Sequence, residues 1–144
     1  MTSAMKLQCF AVSMLFFTLL FSCQTEKDKN EALKQQVIAV HDEVMPEIGE
    51  LKTQKERLLE KANALEGNEE TAVYREELNA AADSCESAYD AMFVWMRQFK
   101  SEYTEMTEEE TQTYLQGQLQ MVEKVKADIL SALSTAEELL QRDV

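Results

Sequence analysis

The chain predicts an all-α fold, an up-down-up antiparallel three-helix bundle with coiled-coil-like packing. Three observations lead there. The 144 residues include only three glycines and one proline, too few for the many tight corners of a β-rich fold. Apolar residues recur in steps of three and four over three long stretches, which is the spacing that lines one face of a helix. Between the stretches lie short polar segments with helix stop and start signals, Gly67-Asn68 and then Thr107 with Glu110. An apolar run at the N-terminus precedes all of this and reads as a signal peptide over residues 1–22.

In that leader, Lys6 stands before an apolar run from Leu7 to Phe21, and Ser22-Cys23 closes it. This is the layout of a secretory signal. At about 15 residues the run is shorter than the ~20 that span a bilayer. Leu20-Phe21-Ser22-Cys23 resembles the lipobox of bacterial lipoproteins. The resemblance implies cleavage between Ser22 and Cys23, lipidation (palmitate-type acyl chains) of Cys23, and a mature chain that begins at that cysteine. Two or three acyl chains, at about 0.8 kcal/mol per buried methylene, make such an attachment stable. Gln24 stands where the inner-membrane retention signal of enteric lipoproteins has aspartate. The acidic residues that follow resemble the surface-export signal of Bacteroidota lipoproteins. The expected address is therefore the cell envelope, on the outer membrane of a bacterium rather than the inner.

Removing the leader takes away Lys6 and no acid, so the formal charge moves from −13 to −14. A surface of that sign repels nucleic acid and anionic lipid headgroups. About 120 mature residues suffice for one core and not for two. Of the three cysteines, Cys9 leaves with the leader and Cys23 takes lipid, so Cys85 has no disulfide partner and belongs in the core.

The polar run from Gln24 to Asn30 predicts a short tether, so residues 23–30 form the anchor and its linker and the bundle occupies 31–144. The first helix, over 31–66, carries Leu33, Val37, Val40, Val44, Ile48 and Leu51, then Leu58, Ala62 and Leu65, with Lys55 interrupting. Pro46 lies inside it, removes a hydrogen bond to the Asp42 carbonyl, and predicts a kink with the stripe continuing beyond. The second helix, over 69–100, has the cleanest seam: Tyr74, Leu78, Ala81, Cys85, Ala88, Met92, Trp95 and Phe99. Its middle is small and its end large. The third, over 108–142, opens on a Thr107/Glu110 capping box. It carries Thr111, Leu115, Gln118, Val122, Val125, Ile129, Ala132, Ala136 and Leu139, widened by Tyr114, Met121, Leu133 and Leu140. The first-turn acids Glu108, Glu109 and Glu110 suit the helix dipole and need no metal.

Two groups of residues are candidates for binding. His41 and Met45, at i and i+4, are suited to a soft metal ion, a haem edge or a small ligand beside the Pro46 kink. A lone histidine supplies one imidazole only, and a place on the flank of the stripe, beside Ile38 and above Leu59, accounts for it structurally. Phe93, Trp95, Met96 and Phe99 form an aromatic and thioether cluster at the end of the second helix, where Phe93 and Met96 lie off the seam and predict a partner patch. No spacing brings a base to Cys85, so nucleophilic catalysis is not expected, and no cofactor is either.

His41-Asp42-Glu43-Val44-Met45-Pro46, Trp95-Met96 followed by Phe99, and Val122-Glu123-Lys124-Val125-Lys126, together with the lipobox, resemble a group of small uncharacterised membrane lipoproteins of Bacteroidota, sometimes labelled viral A-type inclusion protein. The resemblance implies a lipid-anchored helical protein and carries no activity. The expected function is a non-catalytic helical interaction or structural module of the envelope, anchored to the membrane by lipid and facing a protein partner. The alternative is a metal, haem or small-ligand binder at His41 and Met45. A coiled seam can also be completed between chains, which leaves the oligomeric state open.

Overall fold

The computed structural model describes residues 25–143, and every regular element among them is helical. The leader, the lipobox cleavage site at Ser22 and Cys23 lie outside the described residues. None of the described helices is long and apolar enough to cross a membrane.

Helix α1 spans Glu26–Val44, not a start near Glu31. The Thr25 hydroxyl accepts from the Asp28 N–H at 3.2 Å while the Asp28 carboxylate accepts from the Thr25 N–H at 3.2 Å, a reciprocal capping box. The expected tether from Gln24 to Asn30 is thus corrected: from Glu26 onward it is helix. Apolar burial does not hold it there. Asn30, only 6% exposed, donates to the Glu108 backbone oxygen at 2.9 Å and to its carboxylate at 2.8 Å, which pins the first turns to another helix. Hydrophobic spacing is blind to an element held by caps and amides.

At Pro46 the helix is interrupted by a single 3-10 turn, Met45–Glu47, and resumes as α2, Ile48–Ala64. The stripe keeps its face across the break, with Val44 and Ile48 both buried. Gly67, at φ +82°, then takes the left-handed conformation that a side chain resists. Asn68 accepts from the Glu70 N–H at 3.0 Å to open the return. A 3-10 turn, Glu69–Thr71, leads into α3, Ala72–Gln98, which is shorter at both ends than the expected 69–100. After the strap Phe99–Thr107, helix α4 runs Glu108–Gln141 from a second capping box, with the Glu110 carboxylate accepting from the Thr107 N–H at 2.8 Å. Those bonds hold the Glu110 carboxyl below its ordinary value.

The three rods, α1 with α2, α3, and α4, pack against one another around one core. Two contacts with the same sequence separation set the register of the first rod on the third. Asn30 meets Glu108, and Lys61 Nζ reaches the Leu139 oxygen at 3.3 Å, each across 78 residues. The first and third rods therefore run the same way and α3 returns between their ends. All nine seam positions of α4 from Thr111 to Leu139 are buried, as are Tyr74 to Trp95 on α3, joined by Ala82, which the seam omits. Met121, expected to widen the buried face, is 44% exposed. Cys85 is buried, its sulfur 4.0 Å from the Ala132 oxygen, and burial pushes its thiol pKa up. Outside the core, Lys55 reaches Glu86 at 2.8 Å and Lys126 reaches Glu43 at 2.6 Å, fastening the first rod to each of its neighbours.

Candidate functional site

Because α3 runs back along the first rod, its last turn stands beside the last turn of α1. This brings together two groups separated in sequence by the whole of α2 and most of α3. The His41 and Trp95 rings are 5.7 Å apart at 33°, and Ile38, His41 and Asp42 of α1 face Trp95, Met96 and Phe99 of α3 across an open groove of about 300 Å³. Its floor is mostly apolar. Trp95 packs on Phe99 at 5.2 Å, Phe99 on Tyr114 at 6.4 Å, and Tyr114 on Tyr103 of the strap at 5.8 Å. A continuous row of rings thus runs from the groove to the end of the bundle, closed by Lys34 over Tyr103 at 5.6 Å.

The polar groups in the groove are few and specific. His41 Nδ1 lies 2.8 Å from Asp42 Oδ1, so a ring N–H donated there leaves Nε2 of the neutral imidazole as an acceptor. Asp42 is 69% exposed at the rim. Trp95 is 7% exposed and its indole N–H has no acceptor among the described residues. The constant offset between first and third rods places Gln118 opposite Val40, one residue from His41, and Gln118 Oε1 is likewise buried and unpaired. A layer that holds both an unpaired donor and an unpaired acceptor is unusual, because nearly all buried polar atoms find partners.

The expected site residues divide. His41, Trp95, Met96 and Phe99 converge on the groove. Met45 lies outside its lining and packs partly buried against the core, so the i, i+4 pair with His41 does not form one face of a site. Phe93 also lies outside the lining and packs on Tyr89 at 4.7 Å. Glu43 is taken by Lys126 and Asp42 by the imidazole. Among the described residues no three or more His, Cys, Asp and Glu side chains are grouped to hold a metal ion. Spacing along one helix gives Ile38 as a neighbour of His41 but does not reveal Tyr103, Tyr114 or Gln118 as neighbours of this site. Only the register between rods brings them in.

A second hollow, about 390 Å³, lies between α3 and α4 and is lined by Asp83, Ser84, Ser87, Asp128, Ser131 and Thr135 among others. It is a cleft left by short side chains, with Asp128 engaged by Lys124 at 2.6 Å. No family model, no curated protein and no solved structure matches this chain.

Proposed function

We propose that this protein is a lipid-anchored module of the bacterial envelope, held by an acylated Cys23 after cleavage of its signal peptide, which presents an up-down-up bundle with coiled-coil-like packing to a protein partner and does no chemistry. The contact face is the groove between Ile38, His41 and Asp42 on one side and Trp95, Met96 and Phe99 on the other. One observation carries this reading: an apolar, aromatic-floored depression in the surface of a strongly acidic chain. Aromatic side chains and methionine in a pre-formed depression are the usual anchors of protein contacts. The reading as a metal, haem or small-ligand protein ranks below it, because Met45 packs away from His41's groove.

The anchor is tested by metabolic labelling with a fatty-acid analogue and by phase partition. Wild-type protein is expected to take up the label and enter the detergent phase, and Cys23→Ser to lose the label. An unlabelled, uncleaved wild-type chain in the soluble fraction would overturn the proposal. For the ranking, native protein should be colourless and free of stoichiometric metal. A visible absorption band lost in His41→Ala would reverse the order of the two readings.

A further inference from the structure

We infer that the groove is read by a protein attached to the same membrane, one that presents an apolar side chain flanked by basic residues within about 30 Å of the lipid. This rests on the lipid anchor proposed above and adds the kind of partner. The first argument is where the helix begins. Thr25 is already the cap of α1, so only Gln24 separates the acylated residue from a rigid rod, leaving about 7 Å of slack. From Glu26 to the groove residues Ile38 and Asp42 the rod climbs about 18–24 Å at 1.5 Å per residue.

That rod is braced along this length. Asn30 is bonded to Glu108, and Lys34 Nζ donates to the Ser101 oxygen of the strap at 3.1 Å. The bundle can lean about its single anchor, but the groove stays within about 30 Å of the lipid. A partner that meets it repeatedly is best held in the same plane, where anchoring raises its effective concentration.

The second argument is charge. An apolar floor with the Asp42 carboxylate on its rim, in a chain of net −14 without its leader, steers a basic partner in and repels an acidic one. The same charge opposes a second copy of this chain in the groove.

The test uses the full-length protein in intact cells, with a benzophenone side chain in place of Gln35, which is exposed one turn below Ile38 and outside the groove lining. Two further changes are made to that chain: a flexible Gly/Ser insert of about 20 residues between Gln24 and Thr25, and a secreted form with a non-lipid leader and Cys23→Ser. The expected result is an adduct that co-fractionates with membranes, falls at least about fivefold with the insert although the chain stays membrane-bound, and is lost in the secreted form. An adduct undiminished by the insert, or one whose captured protein is soluble, overturns the inference. Acylated, membrane-bound protein that carries the probe and gives no adduct also overturns it while leaving the anchor standing. A soluble, unacylated wild type overturns both.

Discussion

The two halves of the bundle, divided at Pro46, are built to different standards. In the half that ends at Gly67 and Arg142, the buried polar groups are paired. Gln54 donates to Glu50 and accepts from Arg57 at 3.2 Å, and Thr71 donates to the Asn68 oxygen at 3.2 Å. Lys61 caps the end of α4 by donating to the oxygens of Leu139, Leu140 and Arg142, and Tyr74 donates to Leu139 as well. The other half holds every unpaired buried side-chain atom found among the described residues: Asn30 Oδ1, Trp95 Nε1, Tyr103 OH and Gln118 Oε1. It also has α3 for only part of its length, with the strap Phe99–Thr107 in place of the missing helix. Burial raises the Tyr103 hydroxyl's pKa, with Tyr114 and then Glu31 adding to it. Unpaired polar atoms and a loop in place of a rod lower local stability. The groove sits in that half, so the better-packed half serves as scaffold and the other as contact end.

Four tests break or sharpen this contrast. The largest effect belongs to the scaffold half: Cys85 should react with a polar thiol reagent on the order of a thousandfold more slowly in native than in denatured protein, because exposure requires global opening. Fast native labelling would remove the scaffold from the comparison. Leu78→Ala, at a fully buried position, should cost about 3 kcal/mol in urea unfolding. Gln118→Leu in the contact half should shift stability by less than about 1 kcal/mol and in the stabilising direction, since the acceptor it removes is unpaired. A clear loss instead means that the amide has a partner.

The smallest effect is Glu110→Gln. Its carboxyl is held below the ordinary 4.5 by the bonds to Thr107, so its contribution is fully present above that value and disappears as pH falls through the lowered one. The variant should therefore be less stable than wild type at neutral pH and equal to it in strong acid. Equal stability of the two proteins near pH 7 would show that the cap contributes nothing.

The core of both halves was legible in the sequence because a heptad seam states its own burial. From Thr111 to Leu139, a residue's place in the three-four alternation determined whether it lies inside, even for Gln118 and Thr111. Cys85 followed by the same logic. Two things were not legible by spacing. The start of α1 depends on the Thr25/Asp28 box, a signal present in the sequence but set in a charged run that carries no hydrophobic period. The convergence of His41 with Trp95 depends on how far α3 slides along the first rod, which the Gly67 turn and the Lys55–Glu86 pair set between elements. A seam fixes which side of a helix faces inward and leaves open which residue it meets, and so Met45 was paired with His41 when Trp95 is its neighbour.

The single 3-10 turn at Pro46 has a consequence for how this molecule comes apart. Unwinding that starts at Thr25 travels along a ladder of carbonyl-to-amide bonds, and at position 46 there is no N–H donor to hand the loss onward. The proline thus acts as a firebreak: the contact end can loosen around a visitor while Ile48 to Ala64 stays wound. Amide exchange should accordingly change in a step between Val44 and Ile48, and a smooth gradient across that junction would mean the two segments melt as one.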